Sequence, residues 1–375
     1  MQSTTAIGPL LIIFMGALVL SVLATPMAKR VARRYSVMDA PSARKVHASP
    51  VPLLGGLAIY LGVIGGLLLF GHLQYVQQTA SILTGATLMS MLGAIDDKWG
   101  MSPLTKLLGQ IAAAALLFFT GVRVEFLHND WLNFALTVAW VVTITNALNL
   151  MDNMNGLAGG VAAVCSVFFF LIATLTNQNL IAPLSVVLLG ACVGFLYFNF
   201  NAASIFMGDT GSLFLGFTLA AVGIKLRFPD NFDIVTWMVP VLVLGVPIFD
   251  TLLVTFSRLR RRIPVSRGGK DHVSHRLIAV GLTRREAVMS LYLVQGALGV
   301  AALVVMQADL LEGYSVGVVV LACALAAAYR LEQIDLTHTN PVPDGAQATR
   351  RFKLPGRRNV PEQEAITPGG HGPAA

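Results

Sequence analysis

Apolar segments long enough to cross a lipid bilayer recur along the whole chain. A helix that spans the hydrocarbon core needs about 20 predominantly apolar residues, and about eleven runs of roughly that length occur. They lie at about 7–28, 54–71, 79–95, 105–121, 131–148, 157–176, 180–198, 211–224, 235–256, 287–306 and 314–331. Only 12% of the residues are charged, about half of the share in a soluble globular chain. The sequence therefore predicts an all-α polytopic membrane protein, a bundle of about eleven transmembrane helices.

The basic residues predict how this bundle is oriented. All of the 26 Lys and Arg residues except Arg123, Lys225 and Arg227 follow odd-numbered spans or lie in the C-terminal tail. Because cytoplasmic loops are enriched in Lys and Arg, we expect the N-terminus outside and the C-terminus in the cytoplasm. We expect a multi-pass protein of the cell (inner) membrane, with a transmembrane domain over 1–332 and a flexible cytoplasmic tail over 333–375.

The net charge and the cysteines argue against two other classes of protein. The formal net charge is +7, but no basic patch with interleaved aromatic residues accompanies it, so we expect no nucleic-acid partner. Cys165, Cys192 and Cys323 lie inside apolar runs without CxxC spacing. Such cysteines are typical of buried hydrophobic positions and not of a zinc site or a redox pair.

The acidic residues on the predicted cytoplasmic side are nearly all aspartates near span ends. From the first span to the last they are Asp39, Asp96, Asp97, Asp152, Asp209, Asp250, Asp271 and Glu286. A lipid-facing Asp near the middle of a bilayer costs roughly 2.5–3.5 kcal/mol, so we expect a shared wet cavity that holds a cation. Short carboxylates suit Mg²⁺, which binds one or two of them together with phosphate oxygens. Alternatively, each Asp caps a helix or pairs with a nearby Lys or Arg.

Two polar segments at span ends favour a binding site over simple helix termini. The segment Asn146–Gly156 is dense in amides, and Asn149 and Asp152 are three residues apart, on one face if the helix continues. The glycine-rich segment Phe206–Ser212 contains Asp209 and opens a helix. Such a turn leaves backbone N–H groups free to bind phosphate, although a tight turn with a helix cap explains it equally well.

The loop at 257–286 is the longest between spans and is strongly basic. Asp271 and His275 are spaced i,i+4, and His272 and His275 are spaced i,i+3, so a helix would present them together. They form either a solvated face or a binding site for a pyrophosphate. Together with the carboxylates, this loop favours phosphoryl transfer at the inner face of the membrane, without indicating the substrate.

Seven sequence motifs occur in one order over residues 1–331. They are Asp39–His47 with Pro50–Pro52 and Gly55-Gly56; Asp96-Asp97; Pro103–Lys106 before Gln110; Asn146–Gly156; Phe198-Asn199 with Ile205–Ser212; Pro247–Asp250; and Asp271–Arg276. In this order and spacing they resemble the polyprenyl-phosphate N-acetylhexosamine-1-phosphate transferases, the family of WecA- and TagO-like enzymes and, more distantly, of MraY.

The resemblance implies both a fold and a reaction. Its members are eleven-span bundles with an active site on the cytoplasmic face. They transfer N-acetylhexosamine-1-phosphate, here most simply GlcNAc-1-phosphate, from a UDP-sugar to undecaprenyl phosphate or another polyprenyl phosphate. UMP is released, and the lipid-linked sugar diphosphate starts the synthesis of a cell-envelope glycan. The cofactor that the resemblance implies is Mg²⁺, with Mn²⁺ as a substitute.

The resemblance also implies roles for individual residues. The implied metal ligands are Asp209, Asp97 and Asp152. The implied catalytic residues are Asp96, Asp97 and Asp152, with either member of the Asp96-Asp97 pair as the base. The implied substrate-binding residues, with 257–286 as the substrate-binding loop, are Lys45, His47, Lys106, Asn149, Asn155, Asp271, His272, His275 and Arg276.

Two departures from the family pattern bear on the substrate. Many members have Asp-Gly where this chain has Asp152-Asn153, and the final loop has only two histidines where bacterial GlcNAc-1-phosphate transferases often carry a tighter cluster. The three-histidine run of the phospho-MurNAc-pentapeptide transferases is missing as well, which argues against peptidoglycan synthesis, the alternative within the family. A transporter or lipid flippase is the alternative of another class, but such proteins place polar sites near the midplane between matching halves, and no matching halves are found. A homodimer is left open.

Overall fold

Helices make up most of the chain that the structure describes. The computed structural model describes residues 7–39, 49–69, 75–200, 202–229, 231–264 and 269–334. The helices are α1 (Ile7–Arg34), α2 (Gly55–Leu68), α3 (Val76–Trp99), α4 (Pro103–Phe119), α5 (Asp130–Met151), α6 (Leu157–Leu175), α7 (Ile181–Asn199), α8 (Asp209–Lys225), α9 (Asp233–Thr236), α10 (Met238–Val243), α11 (Gly245–Arg260), α12 (Val273–Ala279), α13 (Arg284–Val305) and α14 (Leu310–Glu332). Two short strands, β1 (Met38–Asp39) and β2 (Val51–Pro52), pair between α1 and α2.

Each of the predicted spans coincides with a helix or, once, with a bent pair of helices. Among the described residues, seven helices are long and apolar enough to cross a membrane. An eighth span results if Asp233–Val243 and Gly245–Arg260, which meet at 78°, count as one. The remaining predicted spans form α2, α4 and α8, which have 14 to 17 residues. An all-α polytopic membrane protein is confirmed, whereas the count of eleven stays a prediction.

Helix α8 lies in the interior of the bundle. Every residue from Thr210 to Ile224 is buried, and the helix packs against α2, α3 and α5. Glycine permits this close packing, because a Cβ atom on Gly216 would lie 2.7 Å from the Cα atom of Thr145 in α5. The short, glycine-containing span predicted at 211–224 is thus a helix surrounded by other helices, and this burial fixes the position of its first residue, Asp209.

Gly93 of α3 determines how closely α3 approaches the start of α8. A Cβ atom at this position would overlap the backbone of Asp209 and Thr210. We expect Gly93→Ala to destabilise the protein by about 1–3 kcal/mol or more, because backbone atoms cannot rotate away as a side chain can. Thermal unfolding in detergent measures this effect. Gly296→Ala is the matched control, since a Cβ atom there meets nothing within 4 Å; equal melting temperatures of the two variants would contradict the prediction.

Backbone hydrogen bonds connect the strand pair with the segment that precedes α8. The Phe206 N–H donates to the Pro52 carbonyl at 2.9 Å, and the Gly55 N–H donates to the Phe206 carbonyl at 2.9 Å. The segment before α8 is thereby bound to β2 and to the start of α2. These bonds hold the backbone that leads into Asp209.

Gln295 of α13 supplies partners for the backbone at the bend between α10 and α11. Its fully buried side chain accepts a hydrogen bond from the Val246 N–H at 3.1 Å and donates one to the Val243 carbonyl at 2.8 Å. Backbone groups at a break in an apolar bundle need such partners, because no water is there to replace them. Beyond the bend, α11 runs towards α12 and carries Asp250 and Arg258 to it.

Candidate active site

Asp209, the first residue of α8, lies where polar side chains of three other helices meet. The Asn149 side-chain amide of α5 donates to its Oδ1 at 2.8 Å. Lys106 Nζ of α4 binds its Oδ2 and also pairs with Oδ2 of Asp96 in α3, at 2.5 Å. Four residues that the sequence analysis identified in separate motifs are therefore in direct contact.

Asp97 caps the N-terminus of α8. Its Oδ1 accepts a hydrogen bond from the Asp209 N–H at 2.8 Å, and its Oδ2 accepts from the Thr210 N–H at 3.0 Å and the Thr210 hydroxyl at 2.6 Å. The first N–H groups of a helix lack partners within the helix and favour an anion. Gly208, at φ +71°, makes room, because a Cβ atom there would lie 2.5 Å from Oδ2. The geometry makes Asp97 a positioning residue for Asp209, and its role as a metal ligand stays a prediction.

Asp152 lies directly after α5, and its carboxylate is half-buried. Within the described part of the chain no side chain or backbone group donates a hydrogen bond to this carboxylate. Burial, together with the negative charges of Asp209 and Asp97, raises the pKa of Asp152 to about 8. A carboxyl group in such surroundings is stabilised in its charged form when a cation binds beside it. Asn155, in the same turn, is exposed.

Two side chains outside the predicted set brace the turn that follows Asp152. Asn199 accepts a hydrogen bond from the Gly156 N–H at 2.7 Å and donates one to the Ile205 carbonyl at 2.9 Å. The Tyr292 hydroxyl donates to the Gly156 carbonyl at 2.5 Å. Asn199 belongs to one of the motifs that resemble the family, so its role in the site could have been predicted from the sequence. Nothing in the apolar sequence of α13 indicates a role for Tyr292.

Asp271 and His272 are anchored to α11 by residues that were not predicted to belong to the site. The buried Arg258 donates two hydrogen bonds of 2.7 Å to the Asp271 carboxylate. Burial alone would raise the pKa of Asp271, but the Arg258 guanidinium holds it below its usual range. His272 Nδ1 lies 2.7 Å from Oδ2 of the buried Asp250, and Oδ1 of Asp250 accepts from the Val273 N–H at 2.7 Å. Asp250 and Arg258 therefore set the start of α12.

Arg276 is fully buried, and its guanidinium is directed into the protein. Its donors bind four acceptors at 2.6 to 3.1 Å: the Asp271 carbonyl, the Leu331 carbonyl, the Ser257 hydroxyl and the Glu332 carboxylate. These contacts fasten α12 to α11 and to the end of α14. In this arrangement Arg276 supports the segment, and its guanidinium is not presented to a pyrophosphate.

His275 differs from its neighbours in having no hydrogen bond within the described part of the chain. It is half-buried and lies beside His272, with ring centroids 6.4 Å apart. Burial, followed by the charges of His272 and Lys270, lowers the pKa of His275 to about 4. At neutral pH its imidazole is therefore uncharged and offers one donor and one acceptor.

The predicted site residues thus form two neighbouring groups. The acidic centre consists of Asp96, Lys106, Asn149, Asp152 and Asp209. The histidine segment is residues 271–276. Ser274 links the segment to the turn beside the acidic centre through a 2.8 Å hydrogen bond to Asn153. Lys45 and His47, predicted to bind substrate, lie outside the described residues.

The acidic centre fits a magnesium ion that is shared with a phosphate. Among the described residues no group of three or more His, Cys, Asp or Glu side chains could hold a metal ion. Mg²⁺ does not require such a cage, since it usually binds one or two carboxylates and fills its shell with water and phosphate oxygens. The Asp209 carboxylate and the Asp152 carboxylate, which has no hydrogen-bond donor among the described residues, offer hard oxygen atoms of the kind that Mg²⁺ binds.

The known proteins that resemble this chain are named for the transfer of an N-acetylglucosamine phosphate group to a polyprenyl phosphate. The sequence profile described as glycosyl transferase family 4 matches residues 79–227. The chain is 36% identical over 310 residues to the "Probable undecaprenyl-phosphate N-acetylglucosaminyl 1-phosphate transferase" of Bacillus subtilis strain 168, covering 80% of this chain and 86% of the relative. It is 34% identical over 314 residues to the "Decaprenyl-phosphate N-acetylglucosaminephosphotransferase" of Mycobacterium tuberculosis strain H37Rv, covering 74% and 78%. The "Undecaprenyl-phosphate alpha-N-acetylglucosaminyl 1-phosphate transferase" of Escherichia coli K12 is 25% identical over 275 residues, covering 69% and 74%.

Proposed function

Because the chain belongs to the family of polyprenyl-phosphate N-acetylglucosamine-1-phosphate transferases, we propose that it transfers GlcNAc-1-phosphate from UDP-GlcNAc to undecaprenyl phosphate or another polyprenyl phosphate. A phosphate oxygen of the lipid forms a bond to the phosphorus that carries the sugar. The pyrophosphate bond of the donor breaks, and UMP leaves. The lipid-linked sugar diphosphate then serves as the first intermediate of a cell-envelope glycan.

The observation that carries this proposal is the acidic centre. Its carboxylates converge from α3, α5 and α8, and Lys106 pairs with two of them. An isolated cluster of carboxylates repels itself, whereas a phosphotransferase that joins two anionic substrates uses carboxylates to hold the cation that neutralises them. The names of the relatives support the donor group and the lipid acceptor.

Each group of the centre then has a defined task. Asp209 and Asp152 would hold Mg²⁺, which when bound reduces the repulsion between the phosphates of the two substrates. Asn149 and Lys106 bind the two oxygens of Asp209 and so fix its orientation. Lys106, whose side chain is 20% exposed, adds a positive charge for the phosphate of the acceptor. Neutral His275 offers hydrogen bonds to the donor.

We favour direct in-line attack by the lipid phosphate over a phospho-aspartate intermediate. The acceptor phosphate is already anionic at neutral pH, so it needs charge screening and orientation more than deprotonation. The surroundings of the Asp pair support this, because Asp97 is bound to α8 and Asp96 to Lys106 and to the Met101 N–H, at 2.5 Å. A covalent phosphosugar trapped on either carboxylate would overturn the direct mechanism.

The cytoplasm is the side on which we place this site. The clusters of basic residues at the ends of α1, α11 and α14 and at the start of α13 support this orientation, as does the cytosolic origin of UDP-sugars. The N-terminus would then be outside, and eleven crossings would bring the C-terminus inside. Reporter fusions at residue 128 and at the C-terminus test the topology, and an outside location of the C-terminal reporter would contradict it.

The proposed reaction is tested with detergent-purified protein, undecaprenyl phosphate and Mg²⁺. A panel of UDP-sugars is offered, and UMP release and the lipid product are both followed. We expect UMP and lipid-linked GlcNAc diphosphate in equal amounts with UDP-GlcNAc, and loss of both with EDTA. Equal turnover of UDP-MurNAc-pentapeptide would support peptidoglycan synthesis instead, and folded protein without UMP release from any donor would contradict the proposal.

Lys106→Met is expected to lower kcat by about ten- to a hundredfold. The substitution keeps the length of the side chain but removes the charge that pairs with Asp96 and Asp209. Steady-state kinetics at saturating donor and acceptor measure the change. Lys98→Met is the control, because the Lys98 ammonium lies 4.4 Å from the ring centroid of Trp99 and outside the acidic centre. Equal losses in the two variants would assign the effect to net charge at the membrane surface and not to the site.

A further inference from the structure

The histidine segment is fastened to the protein at nearly every residue. Three of its anchors lead to helices α11 and α14: Asp271 to Arg258, His272 to Asp250, and Arg276 to Glu332. A fourth anchor leads elsewhere, because the buried Ser274 hydroxyl donates to Asn153 Oδ1 at 2.8 Å. His275 is left as the polar side chain of the segment that has no hydrogen bond within the described residues.

Asn153 connects this fourth anchor with the acidic centre. It directly follows Asp152, and its Nδ2 donates to the Leu150 carbonyl in the last turn of α5, at 3.0 Å. The Asn153 side chain thus bridges the end of the helix that carries Asn149 and the segment that carries His275. Its backbone has a negative φ, so no left-handed conformation demands a special residue here. Many members of the family that this chain resembles have glycine at this position, and glycine has no side chain to form either hydrogen bond.

We propose that Asn153 is a positioning residue for the sugar-nucleotide donor, acting through Ser274. The hydrogen bond between Ser274 and Asn153 fixes the distance between Asp152 and His275. In this proposal Asp152 lies beside the phosphates of the donor, and His275 contacts a neutral polar group of the same donor. The inference rests on the proposed function, since it assumes that one UDP-sugar contacts both groups. A donor that contacts two separately anchored segments binds best when their relative position is already fixed, and the hydrogen bond between Ser274 and Asn153 joins them directly.

The effect of breaking this link is expected in donor binding and not in the chemical step. We expect Asn153→Ala and Ser274→Ala each to raise KM for the UDP-sugar about three- to tenfold, as for the loss of one buried hydrogen bond. We expect kcat and KM for the polyprenyl phosphate to stay within about twofold. Asn153→Gly, the residue of the family pattern, is expected to behave like Asn153→Ala.

A double-mutant cycle separates this positioning role from general destabilisation. If both residues act through one hydrogen bond, the double variant has the same KM as each single variant. Ser166→Ala is the matched control, because Ser166 is equally buried and, among the residues that the structure describes, its hydroxyl binds only the Ala162 carbonyl within α6; its donor KM is expected to stay unchanged. Additive effects in the double variant, or a loss in kcat with an unchanged donor KM, would overturn the proposal.

Hydrogen exchange provides a readout that does not depend on activity. Asn153→Ala is expected to speed amide exchange in residues 273–279, and Ser274→Ala in residues 150–156, across the link in each case. Wild-type protein that transfers no sugar-phosphate would contradict the proposed function, while reciprocal exchange would still establish the link. Exchange that changes only around the substituted residue would overturn the inference even if the enzyme is fully active.

Discussion

Asp209→Asn is expected to lower the rate of sugar-phosphate transfer at least about a hundredfold. The amide has the size of the carboxylate and keeps one oxygen for the Asn149 amide, but it lacks the negative charge that pairs with Lys106 and would hold the metal. Turnover is measured as UMP release and lipid product at saturating substrates. Raising Mg²⁺ is expected to restore part of the activity, because Asp152, the other proposed ligand, would still hold the ion weakly.

The control for this prediction separates the loss of a specific carboxylate from the loss of any acidic residue. Asp130 begins α5 at the opposite end from Asn149, and its side chain is 80% exposed. We expect Asp130→Asn to retain wild-type kcat and the same requirement for Mg²⁺. An Asp209→Asn variant with normal kcat and an unchanged Mg²⁺ dependence would remove Asp209 from the proposed metal site.

The apolar pattern could predict where the helices lie but not how deep each lies in the bundle. Every apolar run of membrane-spanning length became helical, because the bilayer leaves few other conformations open. The run 211–224 looked like a weak span, yet it is the helix whose residues from Thr210 to Ile224 are all buried. Hydropathy does not distinguish a side chain that contacts lipid from one that contacts other helices. Glycine also lowers the predicted helix propensity of a segment, although it permits the closest packing of one helix against another.

The positions of the functional aspartates could be predicted, but not the division of tasks among them. Asp96 and Asp97 are adjacent in sequence, yet one pairs with Lys106 and the other caps α8. The two forms of the alternative explanation, pairing with a nearby lysine and capping a helix, therefore occur within one dipeptide, whereas metal binding by the aspartates stays a prediction. The direction of each side chain depends on where α8 begins relative to α3. This is a feature of the tertiary structure, and the spacing of residues along the chain does not reveal it.

The partners of basic side chains in the loop 257–286 were equally hard to predict from the sequence. Because Arg276 follows two histidines, it was predicted to bind the substrate. Its guanidinium instead donates hydrogen bonds to acceptors on α11, on α14 and in its own segment. Asp250 carries a charge within the apolar run Gly245–Val254. Its partner, the His272 ring, is 22 residues away in the chain. A buried charge in such a sequence indicates that a partner exists without identifying it.

Asp152→Asn is expected to remove activity and, in the absence of divalent cations, to raise thermal stability. Unlike Asp209, Asp152 has no hydrogen-bond donor in the described part of the chain that the substitution would leave unpaired. Its folded-state pKa of about 8 lies above the ordinary 3.8. The folded protein therefore keeps a proton that the unfolded chain has lost, and this carboxyl lowers stability progressively as pH rises from about 4 to about 8.

The sign of the effect follows directly from that difference. In EDTA, the melting temperature of Asp152→Asn relative to wild type is expected to be near zero at pH 5 and to rise by a few degrees at pH 8. Adding Mg²⁺ should stabilise wild type more than the variant, because the cation binds best to the ionised carboxylate. Asp130→Asn should show neither the pH trend nor the difference in Mg²⁺ response. A variant less stable than wild type at pH 8 in EDTA would mean that Asp152 supports the fold, and the carboxylate could no longer be explained as a group retained for its cation.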